Sequence, residues 1–153
     1  MEARENTEVF RRVIEEGFGR GNLDALDDCF PATFEEHQHG HPSTLAGFKQ
    51  VIAGLRRAFP DLKHTIDEMI TSDDKVWARM TARGTHQGPF AGFAPTGKSF
   101  TITVLDVCRF EGGKIVEHWG VPDRFALLQQ LGLLPSPPAK PGMSPAPSSE
   151  RRS

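Results

Sequence analysis

Residues 99–121 read SFTITVLDVCRFEGGKIVEHWGV. Phe100, Ile102, Val104, Asp106, Cys108 and Phe110 fall on alternate positions. That is the period of a strand with one face turned to a core. Glu111-Gly112-Gly113 interrupts the run and 114–121 resumes it. A Gly-Gly pair between alternating runs signals a tight hairpin, so 99–110 and 114–121 are expected to pair antiparallel. With the turn near Gly112-Gly113, facing positions sum to about 225, which sets His118 beside position 107 and within one residue of Asp106.

Reading outward, 84–98 holds four glycines and two prolines and is expected to be a long loop. A strand over 76–85 precedes it, joined through Ser72-Asp73-Asp74-Lys75 to an earlier strand. In that strand Leu62, His64, Ile66, Glu68 and Ile70 alternate with Lys63, Thr65, Asp67 and Met69. Before Pro60 the period changes to 3.6. Leu45, Phe48, Ile52, Leu55 and Phe59 form one stripe of a helix opening at Ser43. Phe10, Val13, Ile14, Gly17 and Phe18 form another over 5–18, and Asn22 is placed to cap a short helix carrying Leu23, Leu26 and Phe30. Beyond the hairpin, Asp123 caps a closing helix that ends at Gly132. Helices followed by a run of antiparallel strands predict an α+β fold. Helices laid across the open side of a curved sheet make a cone around a ligand-sized cavity.

The 153 residues suit one domain able to bury a core without staples. Residues 1–134 carry the periodic segments. Residues 135–153 hold six prolines and five serines, with Met143 the one large apolar side chain. That composition predicts a disordered tail. A net charge of −2 gives no basis for nucleic-acid binding. No apolar run approaches the ~18 residues of a membrane span, and the polar, acidic N-terminus does not read as a targeting peptide. Cys29 and Cys108 read as buried thiols in a reducing compartment, and the expected location is cytoplasmic.

Several motifs recur in a fixed order: Phe59-Pro60-Asp61, Gly84-Thr85-His86-Gln87-Gly88, Pro95-Thr96-Gly97-Lys98, then 113–119 (GKIVEHW) and Gln130-Leu131-Gly132. The set, spread over about residues 5–134, resembles the SnoaL-like polyketide cyclases of the nuclear-transport-factor-2-like superfamily. The resemblance implies the cone fold, a pocket working without a cofactor, and a homodimer. Function does not follow from the fold alone, because the superfamily hosts isomerases, cyclases, hydrolases and binders. The sequence departs from the pattern at one telling place: the resembled cyclases carry a catalytic aspartate directly after the tryptophan, where this chain has Gly120.

Asp106 is the most informative residue. A carboxylate in an otherwise apolar row is costly unless it is paired or exchanges protons near neutrality, which is what an acid/base catalyst needs. The alternatives are an Asp at a bulge, or one bridged to Arg79 or Arg83. His118 beside it is either an acid/base partner or a structural ring on a backbone carbonyl. By alternation Trp119 points the other way, to core or to a subunit interface, and Trp77 or Trp119 on an open sheet face fits a homodimer. The resemblance places His37 in the pocket. His86 in the glycine-rich loop is expected at its mouth or holding the loop. Phe100, Ile102, Val104 and Gly120 complete the expected ligand-binding set. His37, His39 and His41 alternate, but Gly40 and Pro42 indicate a loop and no metal site is expected.

The function that follows is acid/base chemistry on a small apolar carbonyl compound, such as intramolecular aldol cyclisation of a polyketide-type ester. An epoxide or ester hydrolase, and a non-catalytic binder of a small hydrophobic molecule, are the alternatives; the loss of the carboxylate at Gly120 favours the binder.

Overall fold

The computed structural model describes residues 2–135. The predicted tail therefore lies outside the described residues except for Pro135, whose carbonyl accepts from Gln129 Nε2 at 3.0 Å. Helix α1 (Glu2–Arg12) runs into a more widely wound π turn (Val13–Gly19), so the single helix expected over 5–18 is split. A short 3₁₀ turn (Leu23–Leu26) follows. Asn22 does not cap it; its side chain instead donates to Glu16 Oε2 at 3.2 Å. Strand β1 (Glu35–Glu36), helix α2 (Leu45–Ala58), strands β2 (Lys63–Ser72), β3 (Lys75–Thr85), β4 (Ser99–Glu111) and β5 (Lys114–Pro122), and helix α3 (Arg124–Gln130) complete the chain. Helix α2 begins two residues later than expected, because Thr44 is its cap and accepts from the Gly47 amide. Asp123 caps α3 through the Ala126 amide at 3.0 Å, as its sequence position predicts.

The sheet has the order β1-β5-β4-β3-β2. Four strands are antiparallel, but β1 pairs parallel with β5 (Glu35 with Glu117, Glu36 with His118). The fully antiparallel sheet expected from the sequence is thus a mixed one. The parallel strand is two residues long, too short for any periodicity to reveal.

Two bulges decide which side chains face inward. In β2 the register slips between Ile66 and Glu68. Asp67 is the extra residue, so Met69 turns toward the core while Glu68 and Ile70 turn out, the reverse of strict alternation. In β5 the slip lies between Phe110–Ile115 and Arg109–Glu117. Val116 is the extra residue there. Beyond it the pairs sum to 226, so His118 sits opposite Cys108 and Gly120 opposite Asp106. The hairpin itself turns through Gly112 and Gly113, both at positive φ (57° and 76°). The inner face of the sheet packs on Phe10, Val13 and Ile14 from the first helical segment and on Phe48 and Ile52 of α2.

Candidate active site

Between the curled sheet and the helices lies an apolar cavity. Ile14 and Phe18 of the π turn, Phe48 and Leu55 of α2, and Phe100, Ile102 and Val104 of β4 form its walls. The cavity is narrow, with a volume of about 90 Å³. Six polar side chains break the apolar lining: Gln38, His41, His64, Asp106, His118 and Arg124.

Asp106 and His118 meet because the Val116 bulge puts both on the inner face as diagonal neighbours across β4 and β5. His118 Nε2 lies 3.2 Å from Asp106 Oδ2. On its other side His118 Nδ1 donates to Glu36 Oε2 at 2.7 Å and lies 2.9 Å from Oε1. Glu36 Oε1 in turn accepts from the backbone N–H of Gln38 at 2.8 Å, and the backbone N–H of His37 donates to the His118 carbonyl at 2.9 Å. All three side chains are buried. Burial alone would push the His118 ring down. The Asp106 carboxylate, by charge and hydrogen bond, and Glu36 behind it outweigh that and push the pKa up to about 10. At neutral pH the centre is therefore an imidazolium clamped between two carboxylates. Asp106 Oδ1 makes no hydrogen bond to another described residue. Neither Arg79 nor Arg83 bridges Asp106: Arg79 pairs with Asp67 and Glu68. The partner of Asp106 is a histidine.

Gly120 stands against this centre. A Cβ there would lie 3.0 Å from Asp106 Oδ1 and 2.9 Å from His118 Cε1, and would collide with Gln38 Oε1. The backbone approaches closely because there is no side chain, and the Gln38 amide takes the space. Gln38 Nε2 also lies 3.3 Å from His41 Nε2. Burial pushes the His41 ring down, with Glu36 pulling the other way.

The other expected site residues are placed differently. His37 does not reach the cavity. It lies outside, 2.9 Å from Glu117 and stacked on Trp119 at 4.8 Å between ring centroids. Alternation explains the swap: Glu36 of β1 faces in, so His37 faces out and Gln38 faces in. His86 is not at the mouth but fully buried, with Nδ1 accepting from the Thr96 amide at 3.2 Å, so it holds the 84–98 loop. Trp119 is 36% exposed and so is not core. The three alternating histidines do not converge. Glu35, His37 and Glu117 do bring ligand atoms within 4.8 Å of one another. However, Arg109 Nη2 already lies 2.6 Å from Glu117, and the group reads as an ion-pair network on the surface. Gln38, His41, His64 and Arg124 went unrecognised in the sequence as cavity residues, as did Glu36 behind His118. Only His64 carried a signal, its place on the Leu62–Ile66 face.

Residues 8–131 match the family described as SnoaL-like polyketide cyclase, and the chain belongs to that family. Over 123 residues it is 28% identical to the nogalonic acid methyl ester cyclase of Streptomyces nogalater, covering 75% of this chain and 89% of that one. It is 27% identical to the aklanonic acid methyl ester cyclase AcmA of Streptomyces galilaeus, covering 84% and 91%. Among solved structures, TsrD from Streptomyces laurentii superposes with a TM-score of 0.80 at 25% identity, covering 88% of this chain and 99% of that one. No helix among the described residues is long and apolar enough to cross a membrane.

Proposed function

We propose that the chain catalyses an intramolecular aldol cyclisation of a polyketide-type ester, with Asp106 as the proton-transfer group. The observation that carries this reading is the free Oδ1 of Asp106 at the edge of an apolar cavity, with Oδ2 fixed by His118. Asp106 takes a proton from the carbon α to a carbonyl. The carbanion closes on a second carbonyl of the same molecule, a C–C bond forms, and the resulting alkoxide takes the proton back. The reaction is an isomerisation, neutral in protons and electrons. Both ring nitrogens of His118 are engaged by carboxylates, so it is a positioning cation that orients Asp106 and steadies its charge. Glu36 positions His118 in the same way. The cavity walls hold the chain folded, which lowers the entropic part of the barrier.

Nogalonic and aklanonic acid methyl esters, the compounds named for the two relatives, are the assay substrates. Asp106→Asn should reduce turnover roughly 10²- to 10⁴-fold. It should stay folded, because Glu36 and His118 remain as a neutral pair. A fully active Asp106→Asn would sink the mechanism. The second reading, a non-catalytic binder, draws on Gly120, where the resembled cyclases carry an acid. It predicts saturable binding of either ester without turnover.

The proposal extends to a homodimer through the outer sheet face. Ile70, Trp77, Val107 and Trp119 form one register row across four strands there, and Ile70 (66%) and Trp77 (48%) stand well exposed. Covering that apolar row favours a second copy. Light scattering giving a monomer mass at micromolar concentration would remove it.

A further inference from the structure

We propose that His64 is a second polar anchor of the cavity, hydrogen-bonding an oxygen at the far end of a rigid ring ligand from the end that meets Asp106. His64 stands on β2 opposite Ala82, in the row of Ile102, whereas Asp106 lies in the row of Ala78. Four residues along a strand separate the rows by about 13 Å. The floor between them is aromatic. The His64 ring is 4.8 Å from Phe18, Phe18 is 5.9 Å from Phe48, and Phe48 is 5.9 Å from His118, centroid to centroid. Polar groups thus mark two ends of an apolar surface suited to flat rings.

His118 and His86 have partners for the nitrogens that hold them. Nδ1 of His41 and Nε2 of His86 are also buried without a partner, but each of those rings is contacted through its other nitrogen, whereas at His64 neither ring nitrogen hydrogen-bonds to another described residue and Nδ1 is buried. A polar ring left unpaired in an apolar wall is unfavourable, and an aliphatic residue would fill the place better. Because a buried N–H without an acceptor is worse than a bare lone pair, the proton belongs on Nε2. From there it can donate to a ligand oxygen. Burial pushes the ring down, with Asp106 pulling the other way, so it serves as a neutral donor. This anchor rests on the reading that the cavity takes an apolar carbonyl compound.

The test uses 2-hydroxyanthraquinone and 2,6-dihydroxyanthraquinone, neither of which can undergo the aldol closure. In the native protein the second hydroxyl should tighten binding about tenfold, the worth of one neutral hydrogen bond. In His64→Phe, which keeps the packing on Phe18, that gain should vanish while the monohydroxy compound binds within about twofold of native. His64→Gln should retain part of it. In the native protein with ¹⁵N-labelled histidine, the His64 ring resonance should move on adding the dihydroxy compound and not the monohydroxy one. A gain that survives in His64→Phe, a native protein that shows no gain, or an unmoved resonance would each overturn the anchor. Because these probes do not react, a failure here leaves the Asp106 turnover assay standing, and a failure there leaves this one standing.

Discussion

His118, buried, and His64, half-buried, line the same cavity and are held in opposite states. Burial pushes each ring toward the neutral form. At His118 two carboxylates in direct hydrogen-bond contact overcome it, and the ring carries charge up to about pH 10. At His64 a single carboxylate acts only at a distance, and the ring stays neutral. The state of a buried imidazole in this molecule is therefore set by the number and closeness of its acids, not by its depth. In the proposed reaction the two ends of the cavity take different duties from that difference: one would hold charge for proton transfer, the other would offer a neutral donor.

The most severe way to break the comparison is to remove the charged ring. His118→Gln leaves Glu36 and Asp106 both buried without a cation, and should cost about 3–5 kcal/mol in chemical denaturation. A loss below 1 kcal/mol would mean the triad is not held by charge. Glu36→Gln is milder, since His118 keeps Asp106. It should lower the upper pH limit of activity, because the ring then loses one of the two acids that raise it.

The pH dependence of stability separates the two rings by sign. His118 binds its proton more tightly folded than unfolded. Its contribution is complete below its unfolded value of about 6.5 and is lost as pH rises through about 10. Native protein should therefore lose stability across that interval, and His118→Gln should lose less. His64 holds its proton less tightly folded than unfolded, so it withdraws stability as pH falls below about 6.5. The His64→Phe variant should gain on the native protein as the pH is lowered from about 6.5 to 5, in paired urea melts. Equal slopes in the two proteins would show that folding leaves the proton affinity of His64 unchanged.

A third histidine gives the smallest effect and the control. His37 lies on the outer surface in an exposed pair with Glu117. Its replacement by Gln should move stability by at most about 1 kcal/mol and leave turnover of the esters unchanged. A hundredfold loss of turnover would place the working surface outside the cavity.

Much of the fold was legible because its signals are local. The Gly112-Gly113 turn, the alternation in β4, the Asp123 cap and the helical stripe of α2 each depend on neighbours in sequence. The cavity lining was legible where β4 carried it: Asp106, Phe100, Ile102 and Val104 were read from one row, and His118 from the hairpin. What escaped depends on contacts far along the chain. Glu36 reaches His118 across 82 residues through a strand only two residues long. Without that strand the inward parity of 36 and 38 cannot be assigned, and His37 is chosen over Gln38. The Asp67 and Val116 bulges are likewise invisible, since a single extra residue leaves no trace in composition and yet reverses every side chain beyond it.

The bare backbone at Gly120 constrains how this chain can change over generations. An aspartate arriving there by a single substitution meets the Gln38 amide and the Asp106 oxygen together, so it is both crowded and repelled. The same aspartate arriving after Gln38 has become alanine escapes the severest clash, and its close approach to His118 Cε1 and Asp106 Oδ1 is what is left to relieve. The order of the two changes therefore matters more than either change. Positions 38 and 120, distant in sequence, should be inherited as a pair.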